Sequence, residues 1–154
     1  MSCTAPTKTE TFTEWFSRQG IRNFSADEFT SYFSVFRRGV RNSTPPRAMW
    51  PAILPTLRIV DDLRDHFSRA IIITSSYRSP AYNGAINSRG SGGAASKSFH
   101  MQFIALDIVA AGHSPDAVFE HLSEWRRAKK FTGGLGSYSS FTHIDTRGYN
   151  ATWG

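Results

Sequence analysis

The chain contains very little cysteine and no long apolar segment. Its 154 residues include one cysteine, Cys3, which excludes an intrachain disulfide and a metal site built from several thiolates. No run approaches the roughly 18 apolar residues that a membrane-spanning helix requires. The first ten residues, MSCTAPTKTE, lack the apolar region of a secretory signal. We therefore expect synthesis in the cytoplasm, with a separate route of release if the protein acts outside the cell.

Acidic residues are also in the minority. Lys and Arg number 18 against 12 Asp and Glu, which gives a formal charge of +6. This excess favours an anionic partner such as nucleic acid, a membrane surface or a bacterial wall polymer. The basic residues are scattered, with short clusters at Arg37-Arg38 and at residues 126–130, and we recognise no nucleic-acid-binding motif. A solvated basic surface accounts for the charge, so we expect no nucleic-acid partner.

Aromatic residues are abundant and follow helical spacing in the N-terminal third of the chain. A capping pattern at residues 11–14 predicts a first helix that ends before Gly20. A similar pattern at residues 25–28 predicts a second helix that closes at Gly39. The inward stripe of this second helix is Phe29, Tyr32, Phe33 and Phe36. A third helix is expected from about residue 49 to residue 66, and all these stripes are interpreted as core.

The second half of the chain has the patterns of strands and turns. Residues 70–74 form a β-branched run that predicts a buried strand. Residues 79–98 are rich in Ser, Asn and Gly and predict a long loop, which in a compact domain is usually functional or mobile. Residues 103–109 predict a second strand, Ser114-Pro115 opens a fourth helix, and residues 133–145 predict a closing hairpin.

Because helices precede the clustered strands, the predicted class is α+β. We expect N-terminal helices packed on a small, mainly antiparallel sheet. Residues 1–10 are predicted to form a flexible tail, and residues 11–154 to form a single domain with one core.

Two histidines and an aspartate accompany the late strands. His100 precedes the strand at residues 103–109, Asp107 lies within it, and His143 lies in the closing hairpin. Because zinc accepts imidazole nitrogen and carboxylate oxygen, and three protein ligands leave one position for water, these residues predict a catalytic-type zinc site in the sheet. A lone histidine is more often an ordinary polar residue, so spacing alone leaves both interpretations open. The remaining histidines are expected to bind no catalytic zinc. His66 and His113 are expected to be solvated, and His121 is expected on the outer side of the fourth helix.

Three motifs follow one another in a recognisable order. They are Ser76-Tyr77-Arg78-Ser79-Pro80, then Ser98-x-His100-x6-Asp107, then His143-x-Asp145-x-Arg147. Together they resemble the zinc D-alanyl-D-alanine carboxypeptidase family, which belongs to a wider group with lysostaphin-type peptidases and the hedgehog signalling domain. The resemblance covers about residues 45–150 and implies that residues 11–154 form one zinc peptidase domain.

The resemblance also implies roles for individual residues. The zinc ligands of the family correspond to His100, Asp107 and His143. Arg78 corresponds to the arginine that supports the scissile carbonyl or the substrate carboxylate. Ser98 lies beside the substrate in this comparison, and Tyr77 is a second candidate for substrate binding.

Two departures from the family pattern stand out. Phe103 occupies a position where glycine is usual. Many members place an acid or a histidine two or three residues before the late zinc ligand as a general base, and here those positions hold Phe141 and Ser140. Asp145 is the nearest carboxylate, and it either takes the catalytic role of base or orients a zinc ligand or the site arginine.

These features predict a zinc-dependent peptidase that cuts an amide bond in the stem peptide of peptidoglycan, as a D-Ala-D-Ala carboxypeptidase or an endopeptidase. The loop at residues 79–98 is the expected determinant of specificity. Lack of a signal sequence favours a phage lysin, a component of a phage-like particle with other particle proteins as partners, or an enzyme with its own release route. The alternative is a zinc-binding cell-wall recognition or structural domain with little or no catalysis, which the missing acid motivates.

Overall fold

A five-stranded sheet organises the computed structural model, which describes residues 4–87 and 97–154. The helices are α1 Phe12–Ser17, α2 Asp27–Thr30, α3 Leu54–Phe67, α4 Pro80–Asn87 and α5 Pro115–Arg127. Short 3-10 turns cover Tyr32–Ser34, Arg47–Ile53 and Phe99–Gln102. The strands are β1 Phe36–Arg37, β2 Val40–Arg41, β3 Ile71–Ser75, β4 Ala105–Ala110, β5 Gly134–Ser137, β6 Thr142–Asp145 and β7 Ala151–Trp153. No helix in these described ranges is long and apolar enough to cross a membrane.

The main sheet has the strand order β3-β4-β6-β5-β7. Its first four strands pair antiparallel, and only the edge strand β7 pairs parallel, with β5. Strands β1 and β2 form a separate two-stranded hairpin. The predicted α+β class with a mainly antiparallel sheet is therefore confirmed. The hairpin predicted at residues 133–145 is confirmed as the β5–β6 pair.

An aromatic cluster fills the space between the N-terminal helices and the sheet. Phe12 of α1 is its centre, with ring centroids 5.2 Å from Phe33, 5.4 Å from Trp50 and 6.2 Å from Phe103. Burial of each such ring contributes about 1.5–3 kcal/mol. The predicted core role of the aromatic stripes is thus confirmed for most of their members.

The predicted second helix is wrong beyond its first turn. The chain instead forms α2, a 3-10 turn and the β1–β2 hairpin, because Arg38 and Gly39 adopt left-handed backbone angles (φ 50° and 78°) that end any helix. Phe29 and Phe33 still reach the core, but Phe36 is 60% exposed on the hairpin. The aromatic residues keep helical spacing for about one turn beyond the helical segment, so the predicted helix was too long.

The predicted loop at residues 79–98 also needs correction. Its first part is helix α4, capped by the Ser79 hydroxyl, which accepts a hydrogen bond from Tyr82 N at 3.1 Å. Pro80 is suited to the first turn because its missing N–H has no partner there in any case. The same Ser-Pro signal correctly predicted α5, where the Ser114 hydroxyl caps Ala117 N. Residues 88–96 of the predicted loop lie outside the described residues.

The described part of the predicted tail contacts the domain. Glu10 is 9% exposed and accepts hydrogen bonds from the Arg18 guanidinium at 2.6 and 3.0 Å. The Trp15 indole donates to the Thr4 carbonyl at 2.6 Å, and Arg47 donates to the Glu10 carbonyl. These bonds attach residues 4–10 to α1 and to the 3-10 turn that precedes α3.

Phe103 has a backbone conformation that favours glycine. Its backbone is left-handed, with φ 54° and ψ 45°, at the point where the 3-10 turn before β4 ends. A side chain in this conformation costs roughly 1–2 kcal/mol, whereas glycine has no such penalty. Phe103 is fully buried and packs edge-on against Phe29, Phe33 and Tyr77. Aromatic packing therefore offsets backbone strain beside the site.

We expect Phe103→Gly to destabilise the protein by about 1–4 kcal/mol, because loss of a buried ring costs about 3–5 kcal/mol and relief of the backbone returns about 1–2 kcal/mol. The matched control is Ser68→Gly, since Ser68 has the same φ of 50° but is exposed. That variant should gain up to about 1 kcal/mol. Urea unfolding measures both, and a stabilised Phe103→Gly protein would contradict the packing argument.

Candidate metal centre

The pairing of β4 with β6 sets the geometry of the candidate site. Asp107 stands directly opposite His143, and Ala105 stands opposite Asp145. Side chains at directly opposed positions lie close together on one face of a sheet. Leu106 belongs to the hydrophobic core and its neighbour Asp107 faces the other way, because successive strand residues alternate. The register thus brings one carboxylate and one imidazole together.

His100 reaches this face from the 3-10 turn before β4. The Ser98 hydroxyl caps that turn by accepting a hydrogen bond from His100 N at 3.2 Å. His100 Nδ1 lies 2.6 Å from the Ser76 carbonyl oxygen. Because a carbonyl only accepts, this contact places the proton on Nδ1 and leaves Nε2 with a free electron pair. The Arg78 N–H also donates to the His100 carbonyl at 3.1 Å, which joins the two loops.

His143 is oriented in the opposite sense by Asp145. Its Nε2 lies 2.8 Å from Asp145 Oδ2, so a neutral His143 that donates to Asp145 turns the electron pair of Nδ1 inward, whereas the doubly protonated ring also donates from Nδ1 to Asp107. Asp145 is fully buried and also accepts bonds from Gly134 N and from the backbone and guanidinium of Arg147. A Cβ at Gly134 would lie 2.6 Å from Asp145 Oδ2, so this close approach requires glycine.

Arg147 is a site residue whose role the sequence did not indicate. Its guanidinium makes a bidentate hydrogen bond to Asp145, at 2.9 Å to Oδ1 and 2.8 Å to Oδ2. The same group lies 4.2 Å from the ring centroid of Phe99 and 4.9 Å from that of Trp153. Its place in the His-x-Asp-x-Arg motif was the available signal. These aromatic faces fix the arginine, and the arginine fixes the carboxylate behind His143.

Three electron-pair donors consequently face one another. Asp107 Oδ1 lies 3.2 Å from His100 Nε2 and 2.9 Å from His143 Nδ1. All three ligand atoms lie within 4.8 Å of one another, and the residues are 2–8% exposed. With both outer nitrogens protonated, the inner nitrogens of neutral imidazoles would repel the carboxylate. A shared cation relieves this repulsion.

The donor set fits zinc. Bonds of about 2.0–2.1 Å in a tetrahedral arrangement separate neighbouring ligand atoms by roughly 3.3 Å, close to the two distances above. Two imidazole nitrogens and one carboxylate oxygen also form a common catalytic zinc set, with outer hydrogen bonds that fix each ligand's orientation. His100, Asp107 and His143 are therefore brought together as the sequence predicted.

The protonation preferences agree with a cation site. Burial lowers the pKa of His100, which favours its neutral form. Burial opposes the charge on Asp107, but the neighbouring His100 and His143 hold the pKa of that carboxyl well below its usual range. Burial likewise opposes charge on His143, yet hydrogen bonds to Asp107 and Asp145 raise the pKa of this imidazole. One additional proton on His143, or one metal ion bound by all three residues, would therefore remove the repulsion between their electron pairs.

A cleft of about 510 Å³ opens beside the centre, and Asp107 and Arg78 line it. Arg78 Nη2 lies 3.4 Å from Asp107 Oδ2 and its Nε donates to the Ser75 hydroxyl at 3.3 Å. Phe141, in the position of the missing acid, also lines the cleft.

The two candidate substrate-binding residues, Tyr77 and Ser98, are not among the residues that line this cleft. Tyr77 is 3% exposed and packs against Phe33 and Phe103 in the core, where its ring is kept from the cleft. Ser98 is 8% exposed and caps the turn that carries His100. The structure therefore gives both residues roles in positioning the site.

The other histidines form a separate group behind the sheet. His66 and His121 lie with ring centroids 4.3 Å apart, and His113 stacks on Phe67 at 4.1 Å. The prediction that His113 is solvated needs correction, since it is partly buried, as is His121 on the fourth helix. Within the described ranges, the metal-capable cluster of three or more residues is His100, Asp107 and His143, which these histidines do not join.

Comparison with known families identifies the chain. Residues 22–145 match the sequence model of the family described as Peptidase M15. The match covers more than half of the chain, so the protein belongs to the Peptidase M15 family, a family of metallopeptidases. No curated protein and no solved structure shows a significant match. The family resemblance of the three motifs is thus confirmed, and the matched segment includes all three metal-capable residues.

We expect the protein to bind one zinc ion, and His143→Ala to lose it. Asp145→Asn should weaken zinc binding by about 10–100-fold, because partners that orient a ligand typically contribute this much. Asp116→Asn is the control, since Asp116 is an exposed carboxylate that accepts a bond from Ser137 instead. Calorimetric titration and metal analysis measure these values. Unchanged affinity in Asp145→Asn would contradict the orienting role.

Proposed function

We propose that this member of the Peptidase M15 family is a zinc peptidase that hydrolyses an amide bond in the stem peptide of peptidoglycan. The observation that carries the proposal is the convergence of His100 Nε2 and His143 Nδ1 on Asp107 Oδ1, the carboxylate of a residue that lines an open cleft. Three protein ligands leave a fourth position for the reaction, which is the arrangement of catalytic zinc sites. Family membership supports the same reaction class.

The residues of the metal centre have two kinds of role, binding of the zinc ion and interaction with the substrate. His100, Asp107 and His143 would hold the zinc ion, which supplies Lewis-acid chemistry and lowers the pKa of water toward neutrality. Arg78 lines the cleft beside Asp107, so its fixed charge is placed to stabilise the developing negative charge on the carbonyl oxygen or to bind a terminal carboxylate.

The contacts of Asp145 favour an orienting role over that of a general base. The carboxylate is fully buried, and its two oxygens are occupied by His143, Gly134 N and Arg147. These hydrogen bonds hold the pKa of Asp145 well below its usual range, although burial opposes this. A carboxylate with such a low pKa is a poor proton acceptor at neutral pH. We therefore assign Asp145 to the positioning of His143.

A specific observation supports a second candidate function, a zinc-binding cell-wall module with little or no turnover. Phe141 and Ser140 occupy the positions where many relatives carry the general base, and Asp145 is committed to His143 and Arg147. Among the described residues that line the cleft, Asp107 supplies the single carboxylate. Without an independent proton acceptor, hydrolysis would be slowed by about 10²–10⁴-fold relative to relatives that have one.

The direct test is digestion of purified peptidoglycan by the zinc-loaded protein, with mass spectrometry of the released fragments. The peptidase proposal predicts fragments that disappear after EDTA treatment, return with zinc and are absent for His143→Ala. Fragment masses would identify the bond that is cut and whether the protein is a carboxypeptidase or an endopeptidase. Zinc-dependent binding to the polymer without fragments would instead support the wall-binding module.

A second prediction concerns the missing acid. Phe141→Glu places a carboxylate on the cleft wall that Phe141 shares with Asp107, and Phe141→Gln is the control of matched size without a base. We expect the Glu variant to hydrolyse peptidoglycan at least about tenfold faster than the Gln variant, since a positioned general base contributes 10² or more. Initial rates of fragment release measure the difference. Equal rates for both variants would count against a missing base as the limit on turnover.

A further inference from the structure

The cleft beside the metal centre has a strongly basic wall. Three guanidinium groups line it, those of Arg37, Arg38 and Arg78. The single carboxylate among its described lining residues is Asp107, whose Oδ1 already faces two imidazoles and whose Oδ2 faces Arg78. A cleft with this balance attracts anions, and a bound divalent cation would strengthen the attraction. The role proposed for Arg78, at the bond to be cut, explains its positive charge. Arg37 and Arg38 lie on a different element, so that role does not explain theirs.

These two arginines lie at the tip of the β1–β2 hairpin. Arg37 pairs with Val40, so Arg38 and Gly39 form a two-residue turn, and both have positive φ. Such turns strongly favour Asn-Gly or Asp-Gly, because a left-handed backbone is unfavourable for longer side chains. Arginine at position 38 therefore lowers the stability of the turn. Strained residues of this kind often occur at binding sites, where their side chains are used.

The hairpin is firmly attached to the loop that carries Arg78. Asn42 follows β2, is 4% exposed, and donates to the carbonyls of Tyr32 at 3.1 Å and Tyr77 at 2.8 Å. Its side-chain oxygen accepts a bond from Ser79 N at 2.9 Å. One buried amide thus connects the hairpin to both sides of Arg78 in the sequence.

A second set of contacts joins the two arginine positions across the cleft. The Arg37 guanidinium interacts with the Tyr82 hydroxyl, which in turn interacts with Tyr32. The Ser75 hydroxyl donates to the Tyr32 hydroxyl at 3.0 Å and accepts from Arg78 Nε at 3.3 Å. Arg37 and Arg78 are therefore held in a defined arrangement in the cleft, which is what discrimination between ligands requires.

We propose that Arg37 and Arg38 bind a carboxylate of the substrate that is remote from the bond to be cut. The hairpin then selects peptides with free internal carboxylates and discriminates against their carboxamide counterparts. This inference rests on the proposed peptidase function for the identity of the ligand as a stem peptide. Guanidinium groups suit the task because they donate paired hydrogen bonds to a planar carboxylate and keep their charge at any physiological pH.

The test compares two synthetic stem peptides that differ only in their internal carboxylates, free in one and amidated in the other. Equilibrium binding to the zinc-loaded protein and hydrolysis are measured separately. We expect the free form to bind at least about tenfold more tightly, since a hydrogen bond to a charged group contributes about 1.5–3 kcal/mol. Arg37→Gln combined with Arg38→Asn should remove this preference, chiefly by weakening the free form.

Two further measurements separate recognition from structure. Arg38→Asn alone should raise the unfolding temperature by about 1–3 °C, because Asn suits a left-handed turn position, while it weakens binding of the free form. Arg58→Gln removes one positive charge from an exposed site on α3 and should leave the preference unchanged.

The outcomes also distinguish this inference from the proposed function. A binding preference without hydrolysis supports the hairpin assignment and argues against the peptidase. Hydrolysis with equal binding of both peptides supports the peptidase and overturns the hairpin assignment. The assignment is likewise overturned if neither peptide binds, or if Arg58→Gln reduces the preference as much as the hairpin variants do.

Discussion

The convergence of three electron-pair donors on one buried point is the constraint on which the rest of the structure depends. His100 and His143 each donate a proton outward, to the Ser76 carbonyl and to Asp145, and each turns its remaining nitrogen toward Asp107. Neutral imidazoles in these tautomers cannot donate a hydrogen bond to that carboxylate, so the arrangement needs either a metal ion or one further proton on His143. The fold therefore fixes the ligand atoms through contacts made behind them.

The supporting contacts reach from the centre to the edge of the sheet. Asp145 is held by Arg147, and the guanidinium of Arg147 lies against the faces of Phe99 and Trp153. Trp153 belongs to β7, which pairs parallel with β5. A Cβ at Gly136 of β5 would lie 2.4 Å from the Trp153 ring, so glycine makes room for the indole. The last strand and a glycine-rich strand thus contribute to the orientation of His143, whose ring centroid lies 5.1 Å from that of Trp153 and which pairs with Gly136.

Much of this could be predicted from local patterns, because the signals involved are local in the chain. Capping residues placed α1 and α5, β-branched residues placed β3, and the three motifs that resemble a zinc peptidase family indicated the metal-capable residues. The β1–β2 hairpin was missed because aromatic residues at Phe29, Phe33 and Phe36 continue a helical spacing that the left-handed Arg38-Gly39 turn interrupts. Helix α4 was missed because glycine and asparagine within it outweighed a Ser-Pro start.

The surroundings of the site were harder to predict, since they depend on contacts between distant segments. The bidentate hydrogen bond between Arg147 and Asp145 is local in the chain, but the aromatic residues that contact the Arg147 guanidinium lie far apart in the sequence. Similarly, Asn42 connects a hairpin to the Tyr77–Ser79 loop through hydrogen bonds that no spacing indicates. Tyr77 stands in a functional motif yet serves the core, because the backbone on either side of Arg78 turns only the arginine toward the cleft.

The most direct test of the metal centre is anomalous diffraction at the zinc edge from crystals of the zinc-loaded protein. We expect one strong peak about 2.0–2.2 Å from His100 Nε2, Asp107 Oδ1 and His143 Nδ1, with Asp145 still bonded to His143 Nε2. A peak that involves the opposite imidazole nitrogens, or that lies away from these residues, would contradict the assignment of the tautomers and of the site.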